Sequence, residues 1–428
     1  MIQTIRKAWG VPELRKKIVF TLLILLIFRI GNAIPVPYIN TTLLGNYLDS
    51  MSGTVLGLYN VMSGGAFAEA TVFALGVQPY INSSIIIQLL TIAIPALERL
   101  ARDGGEAGKK KIASITRYAT VAIALLQGFG YYMICKNYNI LEQQGIWPAL
   151  VIIVSFVAGS SFVMWLGEQV NEFGVGNGIS IILFAGILSR VPNMVTMGAS
   201  YIRTKGSIGY LWIALLIVGM LAMVVLIVHV NEAERRIPVQ YAKRQVGRKM
   251  YGGQASTLPM KVNMSGVLPI IFAQSIAMIP STIAAFCKQP AEGTFWYGFL
   301  NAIDTKSVLY MIFYFLMIIA FSYFYATIQF NPVEISNNLK KNGGFIPGFR
   351  PGKPTTDFIK KVLNKVTLFG AIYLGVVAIL PLLIGKIVGN SSLSIGGTSV
   401  IIVVGVALET VQALESQMLM RQYKGFLE

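Results

Sequence analysis

A chain of 428 residues that is 55% hydrophobic and only 12% charged, with a mean hydropathy of +0.65, is excluded from the ordinary water-soluble class, whose domains are about one-quarter charged. One histidine (His229) and two cysteines (Cys135 and Cys287) leave no cluster that would hold a metal ion. The 35 Lys and Arg residues outnumber the 18 Asp and Glu and are spread very unevenly, most of them between the apolar stretches.

The expected fold is an all-α polytopic membrane protein with ten transmembrane helices. The spans fall near 18–37, 73–97, 114–135, 148–166, 179–197, 209–230, 266–288, 307–328, 368–388 and 398–414. Each is apolar over about 17 residues or more, enough to cross a hydrocarbon core as a helix. The first follows a charged amphipathic segment, 1–17, and no small-residue cleavage site comes after it, so it reads as a retained helix and not a signal peptide. Arg29 falls inside that span, where bonding to backbone carbonyls is its expected role.

Residues 53–70 are apolar and Gly-rich (Gly53, Gly57, Gly64, Gly65), with no charge before Glu69. They are too few to span. A short re-entrant helix held within protein and a loop at the outer interface both fit, and composition leaves the choice open. The second span opens with Gly76-Val77-Gln78-Pro79-Tyr80-Ile81 and the seventh with Gly266-Val267-Leu268-Pro269-Ile270-Ile271. Proline in the first turn suits a helix start, where its missing N–H costs nothing. An echo five spans apart, in helices of opposite direction, predicts an inverted repeat with halves at 18–208 and 209–428. Gly104-Gly105-Glu106-Ala107-Gly108-Lys109 lacks the spacing and the Ser/Thr of a phosphate loop and reads as a flexible basic turn.

Two long basic loops follow. Residues 231–261 carry Arg235, Arg236, Lys243, Arg244, Arg248, Lys249 and Lys261, and residues 329–365 carry Lys340, Lys341, Arg350, Lys353, Lys360, Lys361 and Lys365. With an even number of spans, most of the basic residues share the side of both termini, which the positive-inside rule makes cytoplasmic. Orienting helices needs a few charges beside each; these loops hold more, and are longer, than that requires. Within the spans the ionisable groups at depth are Arg29 and Glu409, with no paired carboxylates and no Ser/His/Asp set. An enzyme is therefore not expected, and an ion-coupled secondary transporter built on inverted repeats is the alternative that the scarcity of buried charge disfavours.

Several motifs resemble the SecY/Sec61-alpha family. They are Arg29-Ile30-Gly31 with Ile34-Pro35-Val36-Pro37, Gly64-Gly65-Ala66, Pro79-Tyr80-Ile81 with Ser84 to Leu90, and Met164-Trp165-Leu166-Gly167-Glu168-Gln169. Further along come Gly176-Asn177-Gly178-Ile179-Ser180, Tyr241-Ala242-Lys243-Arg244-Gln245, Lys261-Val262-Asn263-Met264, Gly344 to Gly352, and Gly396-Gly397-Thr398-Ser399. They run in order through nearly the whole chain. The resemblance implies a protein-conducting channel in the bacterial cytoplasmic membrane, with no cofactor. It implies an apolar pore ring at Val77, Ile81, Ile179, Leu183, Ile271 and Ile402, which would seal against water by dewetting. A plug over 57–70, including Gly64, Gly65 and Phe67, would close the pore, its glycines giving mobility. A lateral gate between the second and seventh spans would carry the polar residues Asn82, Gln127 and Asn263, bonding across helices. Lys243, Arg244, Arg248, Lys249 and Arg350 would dock the motor ATPase SecA or the phosphates of ribosomal RNA. Small membrane subunits of the SecE and SecG type would flank the channel, and its substrate would be unfolded polypeptide, released across or into the lipid bilayer.

Overall fold

The computed structural model describes residues 2–50, 55–241, 244–246, 249–251, 255–264, 266–286, 307–388 and 391–424. Helices α1 (Ile2–Trp9), α2 (Pro12–Gly31), α3 (Thr41–Ser50) and α4 (Val55–Met62) lead to α5 (Gln78–Ala93) and α6 (Pro95–Arg102). Then come α7 (Gly105–Asn137), α8 (Ile146–Phe173), α9 (Gly178–Leu188), α10 (Val191–Lys205) and α11 (Ser207–Glu232). Strands β1 (Glu234–Tyr241), β2 (Arg244–Val246), β3 (Lys249–Tyr251) and β4 (Ala255–Lys261) precede α12 (Leu268–Phe286), α13 (Val308–Gln329) and α14 (Pro332–Lys341). β5 (Gly344–Phe345), α15 (Lys353–Val388) and α16 (Ser391–Lys424) complete the chain.

Among the described residues six helices are long and apolar enough to cross a membrane, and the pair α5 and α6, bent by 105°, brings the number to seven if it counts as one span. The chain is a multi-pass membrane protein. The expected spans at 307–328 and 209–230 coincide with α13 and α11, whereas α7, α8 and α15 extend well beyond the apolar stretches that announced them. Local chemistry sets several starts. The Asn177 side chain accepts from Ile179 and Ser180 N–H at α9, and Asn331 accepts from Val333 and Glu334 N–H at α14. Such caps satisfy donors that have no partner inside the helix.

The second expected span, 73–97, is corrected at both ends. Residues 73–77 form turns, and α5 stops at Ala93 because Ile94 precedes Pro95 and takes an extended conformation, φ −107° and ψ 112°. A residue before proline is driven out of the helical region. The supposed flexible basic turn at 104–109 is likewise a tight junction. A Cβ on Gly108 would collide with the Leu100 carbonyl, so α6 folds directly onto the start of α7. Arg29 is exposed on α2, and no carbonyl among the described residues accepts from it, contrary to the bonding expected.

The fold is predominantly helical as expected, and the described parts of the two basic segments add short strands and helices to it. β1 pairs antiparallel with β4 (Ile237 opposite Leu258) and with β5 (Gln240 opposite Phe345), giving a sheet of order β4-β1-β5, while β2 and β3 form a separate hairpin. One strand thus joins segments about a hundred residues apart in sequence. Alternation on β1 buries Ile237 and Val239 against Met260, Leu339, Ile346, Ile359 and Leu363, a small core of its own. Met260 is fully buried there. Met260→Ala should destabilise this sheet by about 2–5 kcal/mol, read as faster hydrogen exchange of β1 and β4 amides; unchanged exchange would show that the sheet does not depend on that core.

Candidate pore and docking surface

All six expected ring residues are buried in one apolar cluster. Val77 and Ile81 come from the start of α5, Ile179 and Leu183 from the first turns of α9, Ile271 from α12 and Ile402 from α16. Their seats are built by close backbone approaches. A Cβ on Gly178 would collide with the Gly167 carbonyl, so α9 lies directly on α8, and Ile179 rests over Gly167. The two glycines at the echo, Gly76 and Gly266, both take left-handed backbone angles, φ +53° and +61°. Each helix then begins two residues later, with Pro79 and Pro269 in its first turn. Glycine adopts that conformation without a Cβ penalty, which explains its place in both copies.

The segment expected to be re-entrant is helical only over α4, 55–62, and continues as a folded, non-helical stretch to residue 77. α4 packs against α9, α12 and α16, three of the elements that carry ring residues. Met62 joins the ring residues in their cluster, and its Sδ accepts from Gln78 Nε2 at 3.0 Å. Neither Met62 nor Gln78 was singled out from sequence, since a methionine among apolar residues carries no signal. Gly64 (φ +72°) and Gly65 (φ +95°) are fixed in turns. A Cβ on Gly64 would lie 2.8 Å from the Gly186 carbonyl oxygen, and Ser189 Oγ donates to the Gly64 carbonyl at 3.4 Å. Gly64 serves close contact with α9 where mobility was expected, while Gly65 answers to its left-handed turn. Phe67 is buried not in the ring cluster but in a neighbouring one, the two bridged by Tyr59. It packs edge-on against Tyr131 (4.8 Å between centroids) in that second cluster, and its carbonyl accepts from Tyr131 Oη at 2.7 Å.

The three expected gate amides do not bond to one another. Asn263 Nδ2 donates instead to Asn231 Oδ1 at 2.8 Å and to the Gly266 carbonyl at 3.1 Å. Asn82 is half-buried on α5, and the buried Gln127 Oε1 on α7 finds no partner among the described residues. α12 nevertheless packs against both α5 and α7. A polar tie does cross from α5 to the second half of the chain: Tyr325 Oη on α13 donates to Gln88 Oε1 on α5. Tyr325 also packs on Phe272 of α12, with ring centroids 5.1 Å apart. Gln88 stood out in sequence only as part of a motif; its partner, 237 residues away, was invisible.

On the face formed by the sheet, Arg350 is exposed at the end of a braced turn. Gly348 (φ +86°) and Gly352 (φ +107°) flank it, Phe349 packs on Phe358 at 4.2 Å, and Thr355 Oγ1 donates to the Arg350 carbonyl at 2.8 Å. Arg244 and Lys249 lie in β2 and β3, whereas Lys243 and Arg248 fall outside the described residues, as does Cys287. Cys135 is a free, buried thiol.

The SecY family model matches residues 71–411. The protein translocase subunit SecY of Streptomyces coelicolor is 42% identical over 443 residues, covering 100% of both chains. Among solved structures, one described as that of a protein conducting channel aligns with a TM-score of 0.64 at 16% identity, covering 97% of each chain. Sec61 in the canine ribosome-channel complex from the endoplasmic reticulum aligns with a TM-score of 0.59 at 16% identity, again over 97% of each. A helical membrane protein with this folded-in segment and apolar centre thus has the fold of the protein-conducting channels. The chain belongs to the SecY family.

The Tyr325–Gln88 bond should show a coupling of about 1 kcal/mol in a double-mutant cycle of Tyr325→Phe and Gln88→Ala on unfolding in detergent. Strictly additive effects would mean that the two side chains do not act together.

Proposed function

We propose that this chain is the pore-forming subunit of a channel that passes unfolded polypeptide across a bacterial cytoplasmic membrane and releases apolar helices sideways into the bilayer. One observation carries the reading: six branched apolar side chains from four helices, drawn from both halves of the chain, share a single buried cluster against which α4 is folded. Branched apolar groups at a constriction exclude water and ions yet offer a sliding chain no strong binding site. In this reading Val77, Ile81, Ile179, Leu183, Ile271 and Ile402 form the constriction, and α4 with Gly64 and Gly65 is the plug. α5 and α12 are the two sides of a lateral gate, in which Asn82, Gln127 and Asn263 contribute polarity.

The halves 18–208 and 209–428 are read as an inverted repeat, supported by the matching left-handed glycines and helix starts at 76 and 266. Both termini face the cytoplasm on the charge bias of the connecting segments. The sheet then lies on the cytoplasmic side, and Arg350, with Lys243, Arg244, Arg248 and Lys249, forms a docking face for the SecA motor or for ribosomal RNA phosphates. A guanidinium at a rigid tip suits a specific contact to phosphate or carboxylate, since its planar fork loses little freedom on bonding. Chemical work is supplied by that partner and not by this chain. SecE- and SecG-type subunits would accompany it in the membrane.

Ile81→Ser combined with Ile271→Ser should raise ion conductance through channels without substrate, measured in planar bilayers; parent-like conductance would remove the constriction from these positions. Arg350→Glu should lower partner-driven translocation into vesicles by about tenfold, the loss expected from one charge-assisted contact, without lowering membrane levels of the protein. Full translocation by that variant would exclude Arg350 from docking.

A further inference from the structure

The start of α12 is held by one face of α16. Gly405, Glu409 and Gln412 occupy positions i, i+4 and i+7 of that helix, so they form a single stripe. A Cβ on Gly405 would run into Val267 Cγ2, which places the residue just before α12 directly on the helix surface. One turn further on, the partly exposed Glu409 side chain lies against the start of α12: its Oε1 occupies the space that a Cβ on Gly266 would need, with the Val267 backbone beside it. A turn beyond that, Gln412 Oε1 accepts from Lys261 Nζ at 2.8 Å. Lys261 is the last residue of β4 and sits within electrostatic reach of the same Glu409 carboxylate.

The described residues between β4 and α12 are braced from other sides as well. Asn263 bonds to Asn231 at the end of α11, and Gly370 of α15 abuts the Val262 carbonyl. The cytoplasmic sheet and the first turn of α12 are therefore joined by a short segment fixed on α11, α15 and α16, and by nothing on α5 or α7 in these bonds. An acidic group at a helix start is favoured because it meets free N–H donors and the positive end of the helix dipole.

We propose that Glu409 is a positioning residue that seats the first turn of α12 on α16, and that Gly405, Glu409 and Gln412 together couple the β4 end of the sheet to this helix. Displacing the sheet, as a docked partner would, draws on Lys261 and so on the same stripe that fixes α12. The inference rests on reading α12 as one side of the lateral gate. Removing the Glu409 carboxylate from the start of α12 lets the cytoplasmic end of α12 separate from α5.

The test uses the full chain with its small membrane subunits in lipid nanodiscs, lacking Cys135 and Cys287, with spin labels at the exposed positions Ile86 on α5 and Ile279 on α12. Glu409→Ala should raise the separated population about fivefold, the factor set by losing one helix cap. Glu409→Gln keeps an acceptor and should stay close to the parent. An unchanged distance distribution in Glu409→Ala, or an equal widening in Glu409→Gln, overturns the proposal. Should Glu409→Ala not accumulate, Glu409→Leu, which fills the same space without an acceptor, reads the same contact; widening supports the seat and a parent-like distribution overturns it. The distance measurement needs no translocation, so widening without any rise in ion conductance would uphold the seat while overturning the gate reading.

Discussion

The constraint on which the rest of the structure depends is that irregular backbone inside a membrane protein must find its hydrogen bonds within the protein. Between α4 and α5 the chain runs non-helical from residue 63 to 77, next to the apolar cluster that holds Val77, Ile81 and Leu183. Its polar groups are met one by one. Val36 N–H donates to the Ala70 carbonyl and Val72 N–H to the Ile34 carbonyl, each at 2.9 Å. Phe67 N–H donates to Ser63 Oγ and Ala68 N–H to Asn60 Oδ1, while Ser160 Oγ donates to the Gly76 carbonyl. Because bonds left unmade in this setting are costly, these contacts hold the segment as a folded insert in this conformation. Close packing follows from it: a Cβ at Gly31 would overlap the Phe73 ring, and one at Gly159 would overlap the Val72 carbonyl.

On the other side of the molecule a second constraint operates, that of a sheet with its own small core. Pairing β1 with both β4 and β5 turns parts of two basic segments into one body, on which the turn that carries Arg350 is built. Charge excess in sequence thereby acquires a rigid support. The same unit ends at Lys261, a few residues before α12, so the surface that would receive a partner and the helix that would open share one covalent and hydrogen-bonded connection.

Much of this was legible. Helix existence was carried by long apolar runs, and the starts of α5 and α12 by proline and glycine at fixed offsets. The motifs containing Gly167 and Gly178, met separately along the chain, prove to touch in space. What misled was composition read without partners. Glycine at 64 looked like freedom and is close contact; an Asn at 263 looked like a bond between the gate helices and is captured by Gly266, three residues away, and by Asn231. The sheet was missed because β1 has only Ile237 and Val239 on its inward face, a short alternation among charges that gave no reason to expect a strand.

The amino-acid sequence by itself determined that the chain lives in a membrane, which ends carry positive charge, and which short motifs open each helix, because these depend on transfer of local segments from water and on local backbone geometry. Tertiary structure alone decided the partners: Tyr325 with Gln88, Phe67 with Tyr131, and Lys261 with Gln412. The physical reason is distance along the chain. A single hydrogen bond between groups more than sixty residues apart leaves no periodicity or spacing in the sequence, and it forms only where packing of intervening helices has already brought both groups out of water and face to face.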